Sequence, residues 1–390
     1  MSHPLYQLGE VCDFENGDRG KNYPSKDAFV PEGIPFINAG HLTDSGIDKT
    51  SLNFITEEHF HRLSNGKVKD GDILFCLRGS LGKFAVVKDI KIGAIASSLI
   101  IIRPKKGMDH SYLKHFLGSP LCKQEIYNFE NGAAQPNLSA SDLKKFKIPL
   151  PLIAEQKRIA TILDKADAIR RKRQQAIKLA DEFLRAVFLD MFISKNSSKT
   201  SWKKVIIEDV TSRVKTWNPL AFNGVTFEYI DLSSVDNDTK RIVNTKLFEC
   251  KDAPSRARQL ITQDDVLVST VRPNLNGVAK VADVSENLTA STGFCVLRPK
   301  SELVTQNFLF HLVKSADFVN EMVSVATGAS YPAVSDRIIR SFEFYLPPLS
   351  SQNEFDKICK SIEQYQTKND KFSEKKIFES VSQVAFSGNL

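Results

Sequence analysis

Over the first 150 residues, apolar positions come in short runs separated by glycines and polar turns. Ile34-Pro35-Phe36-Ile37-Asn38, Ile73-Leu74-Phe75-Cys76-Leu77, Phe84-Ala85-Val86-Val87 and Ser98-Leu99-Ile100-Ile101-Ile102 are short and rich in β-branched side chains, which predicts strands. A helix is predicted over 111–129, with the Ser111 hydroxyl as a candidate N-cap and Tyr112, Phe116 and Leu117 on one side. At Ile148-Pro149-Leu150-Pro151 the chain is held extended, and then the period changes. Ile159, Ile162, Ala166, Ile169, Arg173, Ala176, Ala180, Phe183 and Val187 follow alternating steps of three and four, the seam of a heptad helix. At roughly 1.5 Å per residue, a helix over 154–193 would reach on the order of 60 Å. Its apolar stripe must pack against a comparable partner. Phe355, Ile358, Ile362, Tyr365, Asn369 and Phe372 keep the same spacing, and Ile377, Phe378, Val381, Val384 and Ala385 resume it with a shift. The two segments are natural antiparallel partners. Arg173 and Asn369 interrupt the seams, either to fix register or as weak points of a loosely packed pair.

The second half of the chain repeats the first. Gly132-Ala133-Ala134-Gln135-Pro136-Asn137-Leu138-Ser139 returns as Gly328-Ala329-Ser330-Tyr331-Pro332-Ala333-Val334-Ser335, and Leu150-Pro151-Leu152-Ile153-Ala154-Glu155-Gln156 as Leu346-Pro347-Pro348-Leu349-Ser350-Ser351-Gln352. Asp72-Ile73-Leu74-Phe75 up to Arg78 matches Asp265-Val266-Leu267-Val268 up to Arg272, and Arg103-Pro104-Lys105 matches Arg298-Pro299-Lys300. A repeat this long is a whole domain with its linker. Residues 195–201 read as a linker, Trp202 opens the second copy, and 307–319 matches the helix near Tyr112. The expected organisation is a first globular domain over 1–150, a long helix and linker over 151–199, a second globular domain over 200–346 and a last long helix over 347–390. The fold class is α+β: two similar mixed α/β domains separated by two long antiparallel helices that form a coiled-coil-like spacer.

Composition narrows the chemistry. An apolar fraction of 42% with 9% aromatics fits a folded chain of two or more domains. The start has no leader-like pattern and no charge-free run is long enough to span a bilayer, so a soluble, cytoplasmic protein without membrane contact is expected. The formal charge is +7, and its excess lies in 151–199, where 11 basic residues face 6 acidic ones. The six cysteines are scattered without CxxC pairs, as expected of reduced core thiols, and no metal site is expected. His59-Phe60-His61 would put two imidazoles on one face of a strand, but no third ligand lies nearby. Phosphate-loop, dinucleotide-binding, GxSxG and HExxH patterns are missing, so the balance favours a module with no catalytic residues and no cofactor of its own.

Two divergent domains on stiff spacers suit a ligand with regular repeats, of which duplex DNA is the commonest. Such a reader needs arginines, lysines and amides on loops. In the first copy these are Arg19, Lys21, Asn38, His41, Arg78, Lys83, Gln135 and Asn137. In the second they are Arg213, Lys215, Arg256, Arg258, Arg272, Asn274, Asn276, Ser330 and Tyr331. The run Arg170, Arg171, Lys172, Arg173 is a candidate for contact with spacer DNA or with an acidic partner. A solvated loop side chain is the competing reading for each of the loop candidates taken singly. For the chain as a whole, the alternative is a non-catalytic scaffold whose two domains bind proteins.

The order of a strand, Arg78-Gly79-Ser80-Leu81-Gly82, then Gln135-Pro136-Asn137-Leu138-Ser139, then Pro149-Leu150-Pro151-Leu152 up to Gln156, resembles the specificity subunits of Type I restriction-modification systems. The ending Val384-Ala385-Phe386-Ser387-Gly388-Asn389-Leu390 is similar to that family's usual ending, and the resemblance covers essentially the whole chain in two half-length units. It implies a pair of target recognition domains, each reading one half of a bipartite, asymmetric sequence in double-stranded DNA. It also implies that the long helices set the spacer and bind two methyltransferase subunits, and that motor-nuclease subunits join for restriction. S-adenosylmethionine, ATP and Mg would then belong to those partners. The second copy departs from the pattern, because Tyr331-Pro332-Ala333-Val334 replaces the amide-rich turn while Gln352 is retained.

Overall fold

In the computed structural model, residues 3–43, 46–130, 136–194, 202–222, 226–282, 287–328, 330–370 and 374–387 are described, with backbone only at Lys26 and over 365–370 and 374–379. The expected linker 195–201, Gln135, Phe372 and the last three residues lie outside them, as do the side chains of Tyr365, Asn369, Ile377 and Phe378. The chain forms two compact units, one of residues 1–175 with 370–390 and the other of 176–369. Each unit therefore combines one globular copy with pieces of both helical segments.

Both units are built on the same plan of two four-stranded sheets. In unit 1 the first sheet runs Cys12–Asn16, Leu99–Pro104, Ile73–Cys76, Phe84–Val86, all antiparallel. The second runs Asn53–Ile55, Ile34–Ile37, Gly93–Ile95, Lys67–Val68, with one parallel pairing between Ile34–Ile37 and Gly93–Ile95. Unit 2 repeats this as Thr211–Ser212, Phe294–Pro299, Val266–Ser269, Val278–Lys280 and as Lys246–Glu249, Thr226–Ile230, Thr289–Ser291, Ala257–Leu260, again with one parallel pairing. Leu99 to Ile102 are buried without alternation because the strand is covered on both faces, which is why it reads as a continuous apolar run. A two-stranded clasp closes each copy, Leu5–Gln7 on Lys147–Pro149 and Lys203–Ile206 on Glu343–Leu346, and delivers the chain to its helix.

Two expectations of local structure are corrected. The segment over 111–129 is two helices, His110–Leu117 and Pro120–Phe129, and the first is capped by Asp109, whose carboxylate accepts from the Tyr112 amide at 3.0 Å. Ser111 lies inside the first turn and donates its hydroxyl to Asp164. The chain breaks at Gly118 because Ser119 caps the second helix, accepting from the Cys122 amide. Unit 2 has the same break, with Thr305 capping Gln306–Lys314 and Ser315 capping Ala316–Val325. His59 and His61 lie on a helix, Glu57–Arg62, rather than a strand, since Thr56 caps it and Glu57 and Glu58 favour its first turn. Among the described residues no cluster of side chains fits a metal, and no helix is long and apolar enough to cross a membrane.

The first long helix spans Ile153–Phe188. Its buried residues are Gln156, Ile159, Ala160, Leu163 and Asp167 and later Leu184 and Phe188; Ile159 lies on the predicted seam, while Ala160, Leu163, Asp167, Leu184 and Phe188 lie one position beyond it. Ile169 and Phe183, placed on the seam by the pattern, are 55% and 52% exposed. Two stripes one residue apart both satisfy a step of three and four, and counting apolar residues alone misses a face that includes Gln156 and Asp167. In unit 1 the start of this helix shares a core with the end of the last helix (Glu374–Ser387): Ile159, Ala160 and Leu163 cluster with Val381, Ala385 and Phe386. The Phe386 ring lies 5.1 Å from that of Tyr112. In unit 2 the end of the helix shares a core with the start of Leu349–Asp370, where the Phe188 ring lies 5.6 Å from Phe355 and 5.5 Å from Phe308. Within each unit the two helical segments thus meet in opposite order, start against end in unit 1 and end against start in unit 2.

Two polar devices fix the frame, and both occur twice. Gln156 is buried, accepts from the Asp109 amide at 2.8 Å and donates to the carbonyls of Gly107 and Pro151 at 3.0 and 2.9 Å. Gln352 accepts from the Thr305 amide at 2.9 Å and donates to Leu303 and Pro347 at 3.0 and 2.8 Å. Each glutamine ties the first turn of its long helix to the cap of the domain helix. Arg103 donates twice to buried Asp72, at 2.7 and 2.6 Å, and Arg298 twice to buried Asp265, both at 2.8 Å. These account for the repeated Arg-Pro-Lys, the repeated aspartate and the retained glutamine as structural residues.

Candidate nucleic-acid interface

In both units the chain leaves the central strand of the first sheet, turns, and is gripped by the segment that carries the repeated proline. In unit 1, Leu138 donates its amide to the Leu77 carbonyl at 3.0 Å, and Arg78 and Asn137 are bridge partners. The turn over 79–82 closes on Cys76, which accepts from the Gly82 amide at 3.0 Å and donates to the Lys83 carbonyl at 2.8 Å. Gly82 has φ +79°, and a Cβ there would stand 2.6 Å from Cδ1 of Ile126. In unit 2, Val334 donates to the Thr270 carbonyl at 2.9 Å, Arg272 donates its amide to Pro332 at 2.7 Å, and Val271 and Ala333 are bridge partners.

The sequence match of Arg78 with Arg272 is therefore off by one. By backbone pairing, the counterpart of Arg78 is Val271. Arg272 follows it with φ +51°, a left-handed backbone that an L side chain adopts only under constraint. One extra residue between strand and turn moves the arginine on, and the two units seat its side chain differently. Arg78 is exposed and donates from Nε to the Oδ1 of Asn137 at 3.0 Å. Arg272 is also exposed, and its guanidinium lies over the Tyr331 ring at 4.8 Å, with Tyr331 itself 68% exposed.

The remaining candidates are dispersed. Asn38 and His41 are absorbed in a turn: the Asn38 side chain accepts from the Gly40 amide at 2.8 Å, and buried His41 accepts from the Asn38 amide at 3.1 Å. Burial holds the His41 imidazole below its ordinary pKa, against the pull of Asp48. Asp231 caps the equivalent turn in unit 2, accepting from the Ser233 amide. Arg19 donates to the Ser97 carbonyl at 3.3 Å, beside exposed Lys21. Arg213 pairs with Glu208 at 2.8 Å, Arg258 donates to the Ala257 carbonyl at 2.8 Å, and Lys215, Arg256, Asn274 and Ser330 are exposed. Asn276, with φ +47°, spends its amide on the Val313 carbonyl at 2.9 Å, while Lys240 holds its backbone carbonyl at 2.6 Å.

A cleft of about 1450 Å³ opens in unit 1 beside the Gly79–Lys83 turn, with Lys83, Lys114, Lys123, Arg170, Arg171 and Asp164 among its walls. Its charge is mixed. Asp164 accepts from Ser111, Lys114 and His115 at 2.8, 3.1 and 2.8 Å; burial raises its pKa, but these bonds outweigh burial and hold it at about 2. Arg170 and Arg171 both donate to Asp167, at 2.7 and 2.8 Å, so the basic run is partly neutralised by its own helix. Lys172 is exposed and Arg173 half-buried. Lys114 and Lys123 reach the cleft from the two domain helices, and no linear motif marks them.

Each unit thus carries the same two-sheet module, with an exposed arginine beside the clamped turn in both. Residues 5–179 and 202–377 each match the model of the Type I restriction modification DNA specificity domain. The chain belongs to that family and carries two such domains. It is 24% identical over 378 residues to the Type I restriction enzyme StySPI specificity subunit of Salmonella potsdam, covering 89% of this chain and 79% of that protein. The crystal structure of a Type I restriction-modification S subunit from M. genitalium shares the fold with a TM-score of 0.56 at 16% identity, over 99% of this chain and 96% of that one. A structure described as the basis of complex assembly and conformational transition of the Type I system matches with a TM-score of 0.51 at 18% identity, over 100% and 98%.

Proposed function

We propose that the chain is the non-catalytic DNA-specificity subunit of a Type I restriction-modification complex. Each globular copy reads one part of a bipartite, asymmetric sequence in duplex DNA, and the antiparallel helices set the gap between the parts. The helices also dock two methyltransferase subunits, with motor-nuclease subunits joining for cleavage. S-adenosylmethionine, ATP and Mg belong to those partners. The observation that carries this reading is one frame used twice with unequal loops at the same point: Arg78 with Asn137 in unit 1, Arg272 with Tyr331 in unit 2. Equal loops would suit a symmetric target, and unequal ones suit two different half-sites. The structural relative described by its complex assembly supports the partner reading.

The test is methylome sequencing of cells that express the chain with its methyltransferase partner. The expected result is a two-part motif with a constant gap and two dissimilar halves. A contiguous or palindromic motif, or no motif, would overturn the proposal.

A further inference from the structure

Resting on that reading, we infer that Arg78 and Arg272 each select a guanine in their own half-site, and that Asn137 and Tyr331 are the positioning residues that aim them. The two units reach the same end by different chemistry. In unit 1 the Asn137 Oδ1 accepts from Arg78 Nε, which occupies one edge of the guanidinium and leaves the Nη1–Nη2 fork for a ligand. In unit 2 the Arg272 guanidinium lies over the Tyr331 ring, a contact that leaves its N–H donors for a ligand.

What aims these arginines is neutral in both units. Several other arginines of the molecule are held by carboxylates, Arg103 and Arg298 by Asp72 and Asp265, Arg213 by Glu208, Arg170 and Arg171 by Asp167, while Arg19 and Arg258 rest on backbone carbonyls. A carboxylate cancels the charge and fills the fork, whereas an amide oxygen or an aromatic ring fixes direction and leaves the full positive charge. Arginine held this way is the side chain whose paired donors match the O6 and N7 acceptors of guanine in the major groove. Both arginines are exposed, and both leave a strand of the rigid sheet at a point clamped by backbone hydrogen bonds to the proline segment. A reading group gains from such a mount because less freedom is lost on binding. The left-handed backbone at Arg272 is held in place by the same clamp.

The test uses the full chain with its methyltransferase partner and measures methylation of a library in which every position of both half-sites is varied. Arg78→Lys and Arg272→Lys keep the charge and lose the fork. Each is expected to lower discrimination at one G·C pair of one half-site by roughly tenfold or more, with the other half-site and the salt dependence of binding unchanged. Asn137→Asp, which puts a carboxylate on the guanidinium, is expected to weaken the same pair as Arg78→Lys. Tyr331→Ala is expected to weaken the same pair as Arg272→Lys, and Tyr331→Phe, which keeps a ring, to recover it. The assignment is overturned if discrimination stays at wild-type values at every position, if affinity falls equally for all sequences as for a phosphate contact, or if either half-site contains no G·C pair. A wild-type complex without a two-part motif sinks the proposed function itself. A wild-type complex with that motif, indifferent to these substitutions, sinks only the assignment of the arginines.

Discussion

Unit 1 seats Arg103 on two carboxylates, Asp72 and Glu15, and the Lys67 carbonyl, whereas among the described residues unit 2 seats the equivalent Arg298 on one carboxylate, Asp265, and the Leu260 carbonyl. The bidentate pair is common to both, and the reserve is not. A similar contrast runs through the molecule: positions that hold the sheets and seat the helices are duplicated bond for bond, while positions around them have been free to change. What the two copies share is therefore the part that folding requires, and what they do not share is the part on which the proposed reading of two different half-sites depends.

The largest test of this comparison is removal of the shared aspartate. Asp265→Ala leaves half-buried Arg298 without a counter-charge and is expected to cost about 3–5 kcal/mol in unit 2. Asp72→Ala leaves Arg103 on Glu15, whose carboxyl burial pushes up but the bonds from Arg103, Lys67 and Gly66 hold below its ordinary value, and is expected to cost about 1–3 kcal/mol. Hydrogen exchange resolved by residue reports each unit separately, and equal losses would show that Glu15 provides no reserve. Next come the glutamines. Gln156→Leu and Gln352→Leu each orphan one amide and two carbonyls in a buried setting, and each is expected to cost about 2–4 kcal/mol by the same measurement. Clearly unequal costs would break the equivalence of the two helix seats.

The smallest effect is one of pH. Burial, then Lys314 and Lys280, push the His311 imidazole down to about 3, where it lies among Phe188, Phe310 and Phe355. The unfolded chain binds this proton below a pH of about 6.5 and the folded unit does not, so stability is full above that pH and falls by up to about 1.4 kcal/mol per pH unit as the solution is acidified. His115 in unit 1 is also lowered by burial and by Lys114, but its bond to Asp164 opposes the shift, so a shallower slope is expected there. Exchange followed from pH 7 to 5 should show unit 2 weakening faster, and His311→Leu should remove the difference. Matching slopes in the two units would contradict the contrast in their histidine environments.

The sheets were legible in the sequence where strands are buried on both faces, as at Leu99 to Ile102 and Phe294 to Leu297, because burial removes alternation and leaves an apolar run. Short edge strands such as Asn53–Ile55 leave no such trace. The long helix was legible as a helix but only partly in its phase, which Ile159 bears out, since Gln156 and Asp167 are buried through hydrogen bonds and ion pairs that an apolar count cannot register. At the candidate interface, Arg78 and Asn137 stand out as an arginine after a strand and an amide beside a proline. Their mutual bond depends on two loops that meet only in the fold. The one-residue offset of Arg272 was hidden for the same reason, because an extra residue between strand and turn is located only by the backbone partner it skips.

Unit 1 draws on both ends of the chain, whereas unit 2 is the uninterrupted stretch Ala176–Asn369. The rings of Tyr112 and Phe116 pack against that of Phe386, 5.1 and 5.8 Å away. Domains usually fold in the order they are synthesised. Here a ribosome delivers every residue of the second unit before it delivers the aromatic ring that completes the first. The domain translated first is finished last, and until then part of its core remains open to solvent or to other proteins.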